Sequence, residues 1–303
     1  MLYLGYLIVL YSIFIQLLYH RKLPVWVMRL WFSINVVLQV IISCVVCQII
    51  TFLSKILNLY SLRNLHRLSI RACSIIFKYV LPFQFSHIHI EYMSGSLRWS
   101  DIKNQHCMCI THASFFDVIL FLFLAPTNYI TNARTFNKAS LWKLPLFGYV
   151  IKACGHFPVY FTEENSSSFK VDKEKQVEVA ARVEEFLNED GSLAFFPEGA
   201  LNRTPEVLKE LRLGSFNTII AHKLPIYYII TYGNHEVWPP DLKGAPGYPA
   251  DIYVYLGKFE YDADAVDARF LSTALRDDMQ KHLDDMIALR KKRNYEPWNR
   301  VSS

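Results

Sequence analysis

The chain has 303 residues, of which 52% are hydrophobic, 15% aromatic and only 19% charged. That is too apolar for an ordinary soluble domain and points to a membrane. The formal net charge of +5 suits an anionic lipid surface or a phosphorylated substrate. Nucleic acid fits less well as a partner, because the basic residues do not gather around solvent-facing aromatics.

Six cysteines are scattered along the chain, and none stands at zinc-ligand spacing. Cys44 and Cys47 fall inside an apolar run, where we predict that they act as small hydrophobic residues and not as ligands. Cys107 and Cys109 alternate on a predicted strand, so they share a face without being paired. A reducing compartment is the simpler interpretation, and no metal site is predicted.

Two apolar stretches open the chain. Met1 to Tyr19 has no charged residue, is about as long as a bilayer-spanning helix, and lacks the basic start and cleavage site of a signal peptide. After a short basic break, Leu30 to Ser54 is also uncharged and long enough to span with tilt. We predict a transmembrane helical hairpin over residues 1–58, the alternative being one span plus a re-entrant or buried helix. Basic residues flank the second span on both sides and leave its orientation open.

Residues 59–85 are predicted to form an amphipathic helix that lies at the lipid headgroups. Four basic side chains fall within roughly 80° of one another on a helical wheel, while leucine and isoleucine occupy the other faces. The basic residues are Arg63, Arg67, Arg71 and Lys78. The alternative is an ordinary surface helix with a solvated basic stripe.

From His87 onward, short apolar or alternating segments predict strands that alternate with helices. The predicted strands are residues 87–92, 107–110, 128–131, 155–161, 192–196, 225–232 and 252–259. The predicted helices are residues 115–124, 140–153, 172–188 and 205–222. This alternation predicts an α/β domain over residues 86–262, with a mixed sheet flanked by helices. A charged helix and tail are predicted over residues 263–303.

His112 lies between the predicted strand Cys107 to Ile110 and an apolar helix, so it is placed at a strand-to-helix turn. In α/β sheets, ligands bind there, beyond the carboxyl ends of the strands. Residues five apart on one helix point roughly 140° away from each other, so His112 can meet Asp117 only from the turn. Such a carboxylate can hold one imidazole nitrogen and leave the other free as a base. The alternative is a turn histidine with a helix-capping aspartate.

A second stretch, Phe196-Pro197-Glu198-Gly199, ends an apolar strand abruptly at a carboxylate. Proline and glycine stop the strand and let the backbone turn, so Glu198 is placed at the same kind of location as His112. Arg203 follows closely, and its planar guanidinium could hold a phosphate. The alternative is a strand end with a solvated loop. Pro225 stands at the first residue of a later strand, where it costs no ladder hydrogen bond.

Together these stretches resemble the motifs of the membrane-bound glycerolipid acyltransferases, the family typified by 1-acylglycerol-3-phosphate acyltransferase. The first motif, Asn-His-x-x-x-x-Asp, is matched by His112 and Asp117, with Thr111 in place of the asparagine. The third motif, Phe-Pro-Glu-Gly, is matched in full by residues 196–199. The fourth, an apolar residue followed by proline and isoleucine, is matched by residues 224–226, and order and spacing agree over residues 88–256.

Two departures from the family pattern bear on the acceptor. The second motif usually ends in an arginine linked to the acceptor phosphate, whereas Gly155 to Phe161 keeps the glycine and the apolar residues but has no arginine. The usual Glu-Gly-Thr-Arg becomes Glu198-Gly199-Ala200-Leu201, with Arg203 displaced by two positions. The resemblance therefore supports acyl transfer more strongly than it supports any one acceptor.

The resemblance implies transfer of an acyl group from acyl-CoA to the hydroxyl of a lysophospholipid, most simply 1-acylglycerol-3-phosphate giving phosphatidic acid. His112 would be the general base and Asp117 the group that orients it. The substrate side of the cleft would be formed by Glu198, Gly199, Arg203, Arg212, Gly155 and Pro225. No metal and no cofactor beyond the co-substrate acyl-CoA is expected. The implied setting is a lipid bilayer, most simply that of the endoplasmic reticulum with the catalytic domain facing the cytosol.

Other functions stay open at this point. The acceptor could be a headgroup-bearing lysophospholipid or glycerol-3-phosphate, and the same histidine and aspartate could serve a hydrolase. No Gly-x-Ser-x-Gly motif is present, which weighs against the common serine hydrolases. An inactive lipid-binding relative is the third alternative. The intact His112, Asp117 and Glu198 argue against it, and the altered second motif argues for it.

Overall fold

The computed structural model describes residues 2–57, 61–80, 83–103, 105–165 and 168–298. Its α-helices are α1 (Leu2–Tyr19), α2 (Val25–Leu57), α3 (Leu62–Ile75), α4 (Asp117–Leu124), α5 (Thr127–Thr131), α6 (Phe147–Ala153), α7 (Lys173–Asn188), α8 (Leu213–Ala221), α9 (Asn234–Val237) and α10 (Ala268–Lys292). Its strands are β1 (Ile88–Tyr92), β2 (Cys107–Ile110), β3 (Ala133–Arg134), β4 (Phe136–Lys138), β5 (Phe157–Val159), β6 (Phe161–Asn165), β7 (Ser168–Val171), β8 (Ser192–Phe195), β9 (Ile226–Tyr232) and β10 (Ala250–Phe259). A π-helix (Ile76–Val80) follows α3, and 3-10 helices lie at Trp99–Asp101 and Ala139–Lys143.

The main sheet has the strand order β1-β10-β9-β2-β8-β3. Strand β2 is parallel to both β8 and β9, β3 is parallel to β8, and β10 runs antiparallel to β9. Two small sheets, β4-β5 and β6-β7, lie outside it. The predicted fold class, an α/β domain with a mixed sheet flanked by helices, is therefore confirmed. The carboxyl ends of β2, β8 and β9 meet at one edge of the sheet, which is called the catalytic edge below.

Both faces of the central strands are covered, which explains their continuous apolar sequences. Every residue of β2, β8 and β9 is buried. Alternate side chains enter two cores: Cys107 and Tyr228 pack on the side of α7, α8 and α10, whereas Met108 and Tyr227 pack on the side of α2 and α4. The sheet is thus the middle layer between two groups of helices, and packing on both faces holds the catalytic edge in place.

Among the described residues, α2 is the helix whose length and composition suffice to cross a membrane, and the apolar stretch Tyr3–Tyr19 of α1 is shorter. At 33 residues α2 is about 50 Å long. Large apolar side chains are exposed along both helices, from Leu4 to Leu57. This pattern favours membrane association. The crossing of a bilayer by both helices stays a prediction, and residues 58–60 lie outside the described residues.

The N-terminal helices are fastened to the catalytic edge. In the turn between them, the Arg21 side chain donates to the carbonyl oxygens of His87 at 3.0 Å and Ala250 at 2.8 Å, and it pairs with Asp251 at 2.5 Å. On α2, the buried Phe32 ring contacts Phe116 with a centroid separation of 5.5 Å. The first half of α2 therefore packs directly against the loop that contains His112 and precedes α4.

The predicted amphipathic helix over residues 59–85 is α3 and the π-helix after it, with residues 59–60 and 81–82 outside the described residues. Ser61 caps α3, because its hydroxyl accepts from the Asn64 N–H at 3.4 Å. Two of the four basic residues contact the domain: Arg63 pairs with Glu189 at 3.1 Å, and Lys78 donates to the Ala125 carbonyl. Arg67 and Arg71 are exposed, and their contact with lipid headgroups stays a prediction.

Two predicted elements are wrong. Residues 128–131, predicted as a strand, lie in α5, and Pro126 precedes this helix at its N-cap, where a proline needs no N–H partner. Residues 205–222, predicted as one helix, are helical only from Leu213. The N–H groups of Leu208 and Lys209 instead donate to the side chains of Gln280 and Glu198, at 2.8 and 3.1 Å. The glutamate therefore holds this segment out of a helix.

Candidate active site

His112 and Asp117 meet at the catalytic edge. His112 lies in the turn after β2, and Asp117 is the first residue of α4. The His112 Nδ1 is 3.0 Å from Asp117 Oδ2. The aspartate side chain is only 1% exposed, and that of the histidine is 19% exposed. The imidazole therefore has one nitrogen on a buried carboxylate, and part of the ring stays exposed.

Two further groups fix the Asp117 carboxylate. The backbone N–H of Ser114 donates to Oδ2 at 2.9 Å, and the side-chain amide of Asn234 donates to Oδ1. Asn234 begins α9 just after β9, and Gly233 before it has a φ of +100°. A side chain at position 233 would meet the Asp251 carbonyl oxygen at 2.2 Å, so only glycine fits. Sequence analysis missed Asn234, although a Gly-Asn pair directly after a long apolar strand is a signal for it.

The His112 ring lies flat against Phe196. The ring centroids are 4.1 Å apart and the planes are inclined by 20°. Within the described part of the chain, His112 Nε2 forms no hydrogen bond to a protein group. With Nδ1 held by the carboxylate and one ring face covered, Nε2 is the nitrogen available to a substrate.

Glu198 is buried, and protein donors surround both of its oxygens. Oε1 accepts from the His112 backbone N–H at 3.0 Å, and Oε2 accepts from Asn202 Nδ2 at 2.9 Å and from the Lys209 N–H at 3.1 Å. Burial raises the pKa of Glu198, while the N–H groups of His112 and Lys209 oppose that rise. The Asn202 N–H also donates to the His112 carbonyl at 2.6 Å. Glu198 was predicted on the substrate side, and the geometry supports a positioning role for the His112 turn.

We expect Glu198→Gln to weaken both stability and catalysis. The glutamine amide must direct an N–H toward one of the three donors, which leaves buried polar groups unpaired at a cost of roughly 1–3 kcal/mol. The shifted His112 turn should lower kcat up to about 100-fold. The control is Glu210→Gln, since Glu210 is exposed on the same segment. Unchanged kcat and thermal midpoint in the Glu198→Gln protein would contradict this role.

The two arginines predicted on the substrate side lie at the surface after Glu198. Arg203 pairs with Asp241 at 3.2 Å, and the two side chains are 70% and 71% exposed. Arg212 is exposed at the start of α8, and its N–H donates to the Pro197 carbonyl at 2.8 Å. Its side chain runs beside Gly199, where an added Cβ would lie 2.8 Å from Arg212 Cγ. Both cations are therefore available to a ligand.

Gly155 and Pro225 are not brought to the histidine. Gly155 packs on His66 of α3, where an added Cβ would lie 2.3 Å from the ring. Pro225 precedes β9, and its carbonyl accepts from the Cys107 N–H at 2.9 Å. It lies at the amino end of the parallel strands, the edge opposite His112, so the structure does not bring it to the His112–Asp117 pair.

Thr111 takes the place of the asparagine in the first motif of the family. Its hydroxyl accepts from the Thr231 N–H at 3.1 Å and lies 3.3 Å from the Thr231 hydroxyl. Thr111 is buried and ties β2 to β9 directly below the histidine. Thr111 therefore supports the sheet. The side-chain amide that donates to the Asp117 carboxylate comes from Asn234 instead.

The fold and the site define an α/β protein in which a buried aspartate holds a histidine at the carboxyl ends of the parallel strands. Residues 100–231 match the family model described as Acyltransferase. The matched part includes His112, Asp117 and Glu198, so the family prediction is confirmed.

A solved structure has the same fold. The chain is similar to the crystal structure of the 1-acyl-sn-glycerophosphate (LPA) acyltransferase PlsC from Thermotoga maritima, with a TM-score of 0.62 and 14% sequence identity. The match covers 88% of this chain and 98% of the PlsC chain. No curated protein matches the sequence.

Proposed function

We propose that the protein transfers a fatty acyl group from acyl-CoA to the free hydroxyl of a lysophospholipid. The preferred acceptor is 1-acylglycerol-3-phosphate, and the product is phosphatidic acid. The observation that carries this proposal is the His112–Asp117 contact of 3.0 Å at the catalytic edge. The resemblance to an enzyme whose name includes 1-acyl-sn-glycerophosphate acyltransferase supports the acceptor class.

In this mechanism His112 Nε2 removes the proton from the acceptor hydroxyl while the oxygen attacks the thioester carbonyl. The carbon–sulfur bond then breaks, and the leaving sulfur takes the proton back from the imidazolium. Asp117 holds the proton on Nδ1 and stabilises the imidazolium, as the acid of a Ser-His-Asp triad does. The substrate hydroxyl replaces the serine, so no covalent enzyme intermediate and no metal is needed.

Apolar surface beside the dyad supports a lipid substrate. Phe115 is 51% exposed and Val118 is 38% exposed, one on each side of Phe116 and Asp117. The Phe115 ring also lies near Trp238, with a centroid separation of 5.8 Å. Exposed aromatic and aliphatic side chains next to a base suit an acyl chain that approaches from a bilayer.

One assay separates this function from its alternatives. Purified protein is given labelled acyl-CoA with lysophosphatidic acid, lysophosphatidylcholine, glycerol-3-phosphate or no acceptor. Labelled phosphatidic acid is the expected product. Free fatty acid alone would identify a hydrolase, and no turnover would identify a lipid-binding relative. If acylation occurred only with an acyl carrier protein thioester in place of acyl-CoA, the proposal that acyl-CoA is the donor would be wrong.

The acceptor phosphate has two candidate partners, Arg203 and Arg212. The exposed Arg203–Asp241 pair contributes only about 0–1 kcal/mol, so a phosphate can displace Asp241 at little cost. Tyr160, which stands at the end of the second motif, offers at most a neutral hydrogen bond. A headgroup-bearing acceptor, with its lower charge, is the second candidate, because the second motif lacks its arginine.

We expect Arg203→Ala to raise KM for lysophosphatidic acid by about tenfold, the effect of losing one charge-assisted hydrogen bond. KM for acyl-CoA should change little. Arg276→Ala is the matched control, since Arg276 is also surface-exposed and pairs with Asp277 at 2.8 Å. If only Arg212→Ala raised KM for lysophosphatidic acid, Arg212 and not Arg203 would be the residue that binds the phosphate. No change in either variant, with equal activity on lysophosphatidylcholine, would favour the headgroup-bearing acceptor.

We also propose an integral protein of the endoplasmic reticulum membrane with its catalytic domain facing the cytosol, where acyl-CoA is available. Two segments fit the glycosylation pattern, at Asn165 and Asn202, and residues 166–167 of the first lie outside the described residues. Asn202 is only 2% exposed and donates to Glu198, so a glycan there is incompatible with the fold. We expect the protein to stay in the membrane fraction after carbonate extraction. Treatment with glycosidase should leave its mass unchanged. A glycosidase-sensitive shift at Asn202, or release by carbonate, would contradict this.

A further inference from the structure

Three buried cysteines meet where α2, α3 and α6 pack together. Cys47 comes from α2, Cys73 from α3, and Cys154 is the residue that ends α6. Cys47 Sγ is 3.7 Å from Cys73 Sγ, and Cys73 Sγ is 3.9 Å from Cys154 Sγ. All three sulfurs lie within 4.8 Å of one another. The three residues are called the cysteine cluster below.

The spacing of these sulfurs is that of a thiolate metal site. Three thiolates on one Zn²⁺ ion, each at about 2.3 Å, have sulfurs about 3.8 Å apart in tetrahedral geometry. Disulfide sulfurs, in contrast, are only about 2.05 Å apart, so the cysteines are free thiols. The cluster also comes from three separate elements, so it is not the by-product of one helix repeat.

Two buried serine hydroxyls lie against the cluster. Ser69 lies beside Cys47 and Ser43 beside Cys73. Apart from the neighbouring cysteine sulfur, neither hydroxyl has a hydrogen-bond partner among the described residues. A buried hydroxyl without a partner is costly unless it binds a ligand or water. These two oxygens can supply the fourth position of a tetrahedral site, directly or through one water molecule.

A buried positive charge lies close to the cluster. Arg134 is 2% exposed, and its Nη1 donates only to the backbone carbonyls of Thr131 and Ala133. None of the described carboxylates forms an ion pair with it. Cys154 lies close enough to the Arg134 guanidinium to interact with its charge. Negative charge at the cluster would therefore stabilise an otherwise unpaired guanidinium.

We propose that Cys47, Cys73 and Cys154 bind one Zn²⁺ ion as thiolates, with Ser43, Ser69 or a water as the fourth ligand. Binding replaces three S–H bonds by three Zn–S bonds and releases three protons to solvent, with no change of oxidation state. The complex carries one net negative charge, which faces Arg134. The ion would link α2 to α3 and to the end of α6, so it would fasten the apolar N-terminal helix to the catalytic domain.

The test is metal analysis of full-length protein purified in detergent under reducing conditions, with Cys44→Ser as the matched control. Cys44 is buried one turn before Cys47 but is not part of the cluster. We expect one zinc per chain in the wild type and in Cys44→Ser, and none in Cys73→Ser or Cys154→Ser. Co²⁺ loaded in place of Zn²⁺ should give thiolate charge-transfer bands and the visible bands of a tetrahedral site. Those bands should also disappear in Cys73→Ser.

Wild-type protein decides the question even where a variant fails to fold. Reduced wild type that releases all six thiols on denaturation, yet holds neither Zn²⁺ nor Co²⁺ at stoichiometry, would show that the cysteines only pack. A cluster found as a disulfide, or one that takes Cu⁺ and excludes Zn²⁺, would overturn the assignment equally.

Discussion

His112→Ala is expected to abolish acyl transfer while expression and membrane attachment stay near normal. Loss of a general base lowers the rate on the order of 100- to 10,000-fold, and more where positioning also fails. The His112 side chain contributes a contact with Asp117 and a stacked ring on Phe196, but its backbone N–H and carbonyl hold the turn. Alanine keeps those backbone bonds, so the loss should be chemical and not structural.

The measurement is kcat with saturating acyl-CoA and lysophosphatidic acid, alongside the thermal midpoint. His222→Ala is the control, because His222 ends α8 at the opposite edge of the sheet and its side chain pairs with exposed Glu184 at 2.8 Å. Retained activity in the His112→Ala protein would rule out the mechanism. Equal losses in both variants would point to a general effect on folding.

Arg290→Met is expected to produce the largest loss of stability. Arg290 of α10 makes two bonds of 2.7 Å to Glu236 of α9, and the two side chains are 7% and 3% exposed. Removing the arginine takes the bidentate guanidinium partner away from the buried Glu236 carboxylate, at a cost of roughly 3–5 kcal/mol. The thermal midpoint should fall by roughly 10 °C. Because α9 also presents Asn234 to Asp117, activity should fall with it.

Two variants separate burial from charge. Arg293→Met breaks a bidentate pair with Glu91 whose side chains are 47% and 50% exposed, and it should cost no more than about 1 kcal/mol. The double variant Arg290→Met with Glu236→Leu replaces both buried charges by apolar groups and should regain most of the lost stability. A double variant no more stable than Arg290→Met would contradict this account.

Local patterns predicted the sheet and the dyad. The central strands are short apolar runs because both faces are buried, and such runs are visible in the sequence. His112 and Asp117 are only five residues apart, so the turn alone decides whether they meet. Residues 205–212 do not form a helix, because the Glu198 side chain takes the Lys209 N–H and that of Gln280, 72 residues further along the chain, takes the Leu208 N–H. Helix propensity is a local property, so it does not include side chains elsewhere in the chain that accept from these backbone N–H groups.

Contacts between distant segments were beyond sequence analysis. Asn234 reaches Asp117 across 117 residues, and Arg21 reaches Asp251 across 230. The cysteine cluster joins residues separated by 26 and 81 positions, so no ligand spacing marks it. Zinc motifs are recognisable only when the ligands lie on one short segment. In the sequence, Cys47 lies in an apolar run and is predicted to be a packing residue. Its neighbours from α3 and the end of α6 are seen only in the folded structure.

The attachment of α2 has a mechanical consequence. Phe32 touches the residue before Asp117, Arg21 binds the start of β10 and the residue before β1, and Cys47 lies against α3 and α6. Phe32 and Cys47 lie about 22 Å apart along α2, so we expect α2 and the sheet to rotate together as one rigid body. A bilayer whose thickness changes the tilt of a helix turns that whole body. In the proposed membrane topology, the angle at which His112 meets the lipid surface would therefore depend on membrane thickness.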